Sequence, residues 1–274
     1  MSDLSHFSFN SQTAKRWPLP QLIDAAARLG LGGVGLWREP VQRTGIDEVA
    51  SLVRSTGLEV TSLCRGGFFP ASEETARRAR IDDNRRAIEE AARLGARTLA
   101  LVCGGLPPGS RDLAGARHMV ADAIAELAPH AGDHGVTLAV EPMHPMYCSD
   151  RSVITSLRQA RLLAEHFPAC QVGVLVDAYH VWWDPELFDE LSLLGPRIAG
   201  FQVCDWVTPL PEGVLTGRGM IGHGCIDLRA LQHAVYDAGY RGLTEVEIFN
   251  AQLWDRPGEE VLTAVCRQYR AHVV

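Results

Sequence analysis

No apolar run in this chain is long enough to cross a bilayer, and the N-terminus lacks a basic segment followed by an apolar one. Neither a membrane span nor a secretory leader is expected, and a cytoplasmic protein is. Positive charge is in deficit, since 26 Lys and Arg against 33 Asp and Glu leave a formal net charge of −7. Nucleic-acid affinity comes from clustered basic residues neutralising phosphates, so the expected partner is a small molecule, with no nucleic acid and no membrane. The seven cysteines (Cys64, Cys103, Cys148, Cys170, Cys204, Cys225 and Cys266) are odd in number and contain no C-x-x-C pair, which suits reduced core thiols. Missing too are a G-x-S-x-G elbow and a G-x-x-x-x-G-K-[ST] phosphate loop. No linker, low-complexity segment or heptad seam divides the chain or marks it as a scaffold.

What is present is one alternation carried to the end. Short β-rich runs occur at "LSHFSFN" (4–10), "GGVGLWRE" (32–39), "LEVTSLCRG" (58–66), "RTLALVCGG" (97–105), "VTLAVEPMHP" (136–145), "QVGVLVD" (171–177), "IAGFQVCDW" (198–206) and "LTEVEIF" (243–249). Between them lie eight segments with apolar residues at i, i+3, i+4 and i+7, among them "LPQLIDAAARLG", "NRRAIEEAARLG" and "SVITSLRQARLLAEHF", many ending on Gly as a helix C-cap. Eight strands alternating with eight helices predict a parallel sheet, and eight is the number that closes a (β/α)8 barrel of about 250 residues. Residues 1–274 are read as a single such domain, with a doubly wound open sheet as the other closure.

Active sites of these barrels gather at the C-terminal ends of the strands. There, strand five ends in Glu141, strand six in Asp177, strand seven carries Gln202 and strand eight carries Glu247. A carboxylate past a strand often caps the next helix, but Asp184, Asp150 or Ser149, and Asp227 are the caps suggested by the pattern, which leaves Asp177, Glu141 and Glu247 spare. Three buried like charges need a cation, either a metal ion or a salt-bridge network drawing on Arg38 and Arg65. Three carboxylates and an amide oxygen suit Mg²⁺ or Mn²⁺.

"LAVEPMHP", "VDAYHVWWDP", "GFQVCDW" and "VEIF", with "LCRGGFFP" and "DDNRRAIEEAARLGA" upstream, resemble the sugar phosphate isomerase/epimerase family of xylose isomerase-like TIM barrels over nearly the whole chain. The resemblance implies one divalent metal on Glu141, Asp177, position 202 and Glu247; an imidazole in place of the amide would move the preference toward Mn²⁺, Co²⁺ or Zn²⁺. It also implies that Glu141 and Glu247 relay protons, and that His180, in D-x-x-H, binds substrate. The reaction implied is proton abstraction beside a carbonyl through an enediolate, giving isomerisation or epimerisation of a sugar, keto-sugar or cyclitol. Position 202 is commonly His in the epimerases and is Gln here. Glutamine is the fourth ligand in the related 3-dehydroshikimate dehydratases, so a dehydratase of the 3-dehydroshikimate or inosose type is the alternative. A catalytically inactive binding barrel is another. The superfamily's abasic-site nucleases need a histidine-rich multi-metal cluster and a basic face, which an acidic chain with this set does not support.

Around this set, His144 is a candidate substrate or acid/base group, Trp37, Trp182 and Trp183 a candidate apolar wall, and Arg38 and Arg65 candidate binders of substrate oxygens or a carboxylate. Glu245, two residues before Glu247 on the same face, reads as a deeper structural carboxylate. The long connection from Trp206 to Ile226 reads as a lid or clamp carrying Arg218 toward the substrate, and its "GRGMIG" does not run from a strand into a helix as a dinucleotide fingerprint does. Barrel relatives often form homo-oligomers, and nothing in the chain fixes that state.

Overall fold

Small and β-branched residues dominate the strands of the computed structural model, which describes residues 4–274. The strands are β1 (Phe7–Asn10), β2 (Gly33–Trp37), β3 (Glu59–Gly67), β4 (Thr98–Val102), β5 (Thr137–Val140), β6 (Val172–Asp177), β7 (Ile198–Val203) and β8 (Thr244–Val246). Each pairs in parallel with its neighbours in the chain, and β1 also pairs with β8, so the sheet closes into a barrel. The chain is therefore a single-domain parallel (β/α)8 barrel, and the open-sheet alternative falls away.

Seven crossover helices and one after the last strand cover the outside: α1 (Leu19–Arg28), α2 (Ile46–Thr56), α3 (Glu74–Leu94), α4 (Leu113–Asp133), α5 (Leu157–Ala164), α6 (Leu187–Leu194), α7 (Leu228–Asp237) and α8 (Gly258–His272). Helices α2 and α3 stop at Gly57 and Gly95, both left-handed with φ of 74° and 75°, where a side chain would be strained. Asp227 caps α7 as the pattern suggests, accepting from Ala230 N at 3.0 Å. The cap of α5 is instead Ser156, accepting from Gln159 N at 3.3 Å, because the helix starts later than its periodic run. No helix among the described residues is long and apolar enough to cross a membrane.

Between strands and helices lies the main apolar core, built on residues such as Phe7, Phe9, Leu22, Ile88, Leu99 and Phe201. Inside the barrel the apolar filling is mostly small: Cys64, Ala100, Ala139 and Leu175. The rest of that interior is polar, centred on Glu245. Its carboxylate accepts from Asn10 Nδ2 at 2.6 Å, Thr61 Oγ1 at 2.5 Å, Ser62 Oγ at 2.9 Å and Gln202 Nε2 at 2.8 Å. Gly35 makes room for this network, since a Cβ there would stand 2.5 Å from the Glu245 carboxyl.

Candidate active site

The strand register sets the site. Asp177 pairs with Gln202, and Gln202 with Glu245, so β6, β7 and β8 present these three side chains at one level. Glu141 and Glu247 follow the last residues of β5 and β8 and stand at the mouth. Glu141, Asp177, Gln202 and Glu247 are all buried. Burial first, then Asp177 and Glu247 as like charges, pushes the Glu141 carboxyl well above its usual range. Glu247 is pushed up to about 8, again mainly by burial.

Asp177 is not spare in the sense expected from the sequence. Strand β6 runs directly into a helical turn, Ala178–Val181, and Asp177 Oδ1 caps it by accepting from Tyr179 N at 3.0 Å. Its Oδ2 remains for the mouth, so one carboxylate serves both purposes. There it accepts from Arg218 Nη1 at 2.9 Å, and the same nitrogen lies 3.7 Å from Glu247 Oε2.

Arg218, which the long loop carries to the mouth, lies deeper among the acids than a residue reaching in from a lid would. It comes from the connection between β7 and α7, and it is 2% exposed. The connection folds back across the mouth: Arg218 N donates to Phe249 O at 3.0 Å, and Asp205 and Gly219 pair as an antiparallel bridge. The guanidinium is held between the rings of Tyr179 and Phe249, at 4.6 and 4.8 Å. Burial works against its charge, but Asp177 and the neighbouring acids more than offset that.

His180 follows on the same turn and is buried. Burial, then Arg218 and His144, hold it well below the usual histidine range, so the ring is neutral with one proton. Both nitrogens meet donors, His144 N at 3.3 Å from Nδ1 and Arg218 Nη2 at 3.1 Å from Nε2. Only Nε2 also has acceptors near it, Glu141 Oε1 at 3.5 Å and Asp177 Oδ2 at 3.7 Å. A guanidinium nitrogen can only donate, so at 3.1 Å Nε2 accepts from Arg218, and His180 enters the site as a neutral imidazole beside the acids.

The remaining candidates divide. Trp37 Nε1 donates to Glu247 Oε1 at 3.1 Å, orienting that carboxylate as well as walling the site. His144 stacks near Trp206 and Trp183, and burial lowers its pKa. Trp182 packs on Trp206 with its ring centroid 5.4 Å away. Arg38 is turned to α3, where Glu90 and Asp83 take its guanidinium at 2.7 and 2.9 Å, so it stands outside the ligand group. Arg65 lines the cavity above the acids, and so does Arg151, for which the sequence carried no periodic or spacing signal. Burial pushes the Cys64 and Cys204 thiols well up, which leaves them protonated and poor nucleophiles.

The cavity over the set holds about 50 Å³ and is lined by Leu215 and Phe249 among others. It shares Trp37, Cys64 and Arg65 with a wider rim cleft of about 660 Å³. A divalent cation fits the residues present. Gln202 Oε1 is buried with no hydrogen-bond partner among the described residues, while its Nε2 is tied to Glu245. Three buried carboxylates share one guanidinium, and two of them stay protonated well above the ordinary range. An all-oxygen donor set of this kind suits a hard ion. A ligating atom of His180 also lies within 4.8 Å of ones from Glu141 and Asp177, so its ring stands beside the oxygen set. A separate cluster, Glu89, His130 and His134, sits where α3 and α4 approach β4 and β5, at the opposite end of the barrel.

Residues 23–271 match the model of a family described as xylose isomerase-like TIM barrel. A solved structure of protein SMc04130 from Sinorhizobium meliloti 1021 is 42% identical, with a TM-score of 0.96 and 99% of each chain covered. The inosose isomerase of Bacillus subtilis (strain 168) is 25% identical over 144 residues, 52% of this chain and 50% of its own. The 3-dehydroshikimate dehydratase of Pseudomonas putida (strain KT2440) is 25% identical over 243 residues, 85% of this chain and 36% of its own. The chain thus spans half or less of the length of both curated relatives.

Proposed function

The chain belongs to the xylose isomerase-like TIM barrel family, and on that premise we propose that it is a divalent-metal-dependent isomerase or epimerase of a sugar, keto-sugar or cyclitol, moving a proton on the carbon next to a carbonyl. Glu141, Asp177, Gln202 and Glu247 would hold the ion, with Mn²⁺ or Mg²⁺ favoured by the oxygen donors. Bound there, it supplies the positive charge that polarises a carbonyl and acidifies the neighbouring C–H. The observation that carries the reading is the partnerless, buried Gln202 Oε1 beside acids that one guanidinium does not neutralise.

The chain's own groups have distinct tasks. Glu141 and Glu247 both line the cavity, which suits carboxylates that take a proton from carbon and return it. Trp37 fixes one oxygen of Glu247 and leaves Oε2 to face inward. The guanidinium of Arg218 is placed to donate to a substrate oxygen on which charge develops, with the neutral ring of His180 beside it. Leu215 and Phe249 narrow the cavity and keep water from the reacting carbon.

Manganese-loaded protein incubated in D2O with keto-sugars and cyclitol ketones is expected to place deuterium next to the carbonyl of one of them. The exchange should disappear in Glu247→Gln and after chelation. Absence of exchange in protein shown to hold manganese would contradict the reading. A dehydratase on the same residues is the second reading, favoured by the match to the Pseudomonas enzyme over most of this chain and by the amide at position 202. It would show as loss of water and growth of a conjugated absorbance.

A further inference from the structure

Two guanidiniums that make no ion pair with the ligand group, those of Arg65 and Arg151, line the same cavity as Glu141, Gln202 and Glu247. Arg65 owes its direction to an irregularity in β3. Cys64 pairs with Ala100 and Gly66 with Leu101, so Arg65 is the extra residue with no partner on β4. A bulge re-aims the side chain it carries, and bulges of this kind gather beside active sites. The guanidinium lies 4.1 Å over the Phe68 ring, and no carboxylate among the described residues comes within ion-pair distance of it.

Arg151 arrives from the connection between β5 and α5. Its backbone is pinned there, with N donating to Tyr147 O at 2.9 Å and O accepting from Gly104 N at 2.8 Å. Its carboxylate neighbour is Asp150, 3.7 Å away and 63% exposed, where solvent screens the pair. Arg38, by contrast, is fully engaged by Asp83 and Glu90. After burial, the charge of Arg151 is the chief influence weakening the hold of Arg65 on its proton. Two cations facing one partly buried cavity repel each other, and an anion between them turns that repulsion into attraction.

We propose that Arg65 and Arg151 form a receptor for an anionic group of the substrate, a carboxylate or a phosphate, so that the protein acts on acidic hydroxyketones in preference to neutral ones. This rests on the metal-dependent reading above, with the carbonyl placed at the acids and the anion placed at the arginines. Guanidinium forks match both anions with paired hydrogen bonds.

The test is calorimetric titration of manganese-loaded protein with 3-dehydroshikimate, fructose 6-phosphate, inosose and fructose. One of the two anionic probes should bind at least about tenfold more tightly than the neutral ones, and the identity of that probe tells carboxylate from phosphate. In Arg65→Gln and Arg151→Gln the preference should vanish while manganese content stays at the wild-type level. Equal binding of neutral and anionic probes, binding of neutral probes alone, binding of none, or a preference that survives both substitutions would overturn the receptor and leave the metal reading standing. Wild-type protein that fails to hold manganese before any probe is added would overturn the metal reading, and the receptor with it. Arg151 lies in a loop, so its variant keeps the test decisive should Arg65→Gln not fold.

Discussion

Exchanging the two ends of the Gln202 amide would leave its shape unchanged and present a donor, in place of an acceptor, to the acids at the barrel mouth. Glu245 prevents the exchange by accepting from Nε2 at 2.8 Å. In Glu245→Gln an amide faces an amide and the orientation is no longer enforced. Manganese affinity is expected to fall about ten- to a hundredfold, as for other losses of a group orienting a ligand. Isothermal titration of the variant checks this, and an unchanged affinity would remove that role from Glu245.

Glu247 gives a pH signature at the same scale. Its carboxyl titrates at about 8 in the folded, metal-free chain, against 4.5 for the ordinary group. Between those values the folded state binds the extra proton, so the stabilisation is complete below about pH 4.5 and is lost as pH rises through about 8. From pH 7 to 8 the unfolded His180 loses only about a fifth of a proton, so its opposing contribution is small. Chelator-treated protein should therefore lose about 1 kcal/mol, or roughly 2–4 °C in thermal midpoint, over that unit of pH. Manganese should abolish the slope, and a midpoint that rises over this interval would contradict the raised pKa.

Single residues at strand ends were legible in the sequence because the barrel frame says where to look, which is how Glu141, Asp177, Gln202 and Glu247 were found. The cap on Asp177 was not legible, because whether a strand runs straight into a helical turn is decided by the backbone after it. The contact of His180 with Arg218 and the convergence of Arg65 and Arg151 on one cavity were hidden for a related reason. Both depend on groups from other loops that no local pattern brings together.

Among the elements, the connection from Cys204 to Asp227 shows how a long loop can be fixed without regular structure. Asp205 is buried and accepts from the backbone N–H groups of Trp206, Gly222 and Ile226 at 2.9, 2.9 and 3.1 Å. Asp205→Ala would leave these donors without their acceptor and free the segment that carries Arg218. A loss of about 2–4 kcal/mol in urea denaturation is expected, and a change under about 0.5 kcal/mol would contradict the stapling role. The glycines of "GRGMIG" have local reasons as well. At Gly222 φ is 79° and a Cβ would come within 2.3 Å of His272, which accounts for glycine without any nucleotide. The periodicity of the helices and the unusual length of this loop were readable in the chain. Its contacts with Phe249 and His272 join distant segments and were not.

Across the whole molecule, closure of β1 on β8 gathers residues spread from Trp37 to Glu247 around one small cavity. Eight-fold alternation pointed to that architecture beside a doubly wound open sheet, and the pairing of β1 with β8 decides between the two. The central claim, that this cavity holds a divalent cation, is tested most directly by elemental mass spectrometry. Wild-type protein, Glu141→Ala and Gln202→Ala would each be loaded with Mn²⁺ and gel-filtered. Manganese suits the oxygen set and is a poorer match for the Glu89, His130 and His134 cluster at the far end of the barrel, where imidazole favours softer ions. Near one manganese per chain in the wild type, with clear loss in both variants, is the expected result. Wild type holding no more manganese than the variants would contradict it.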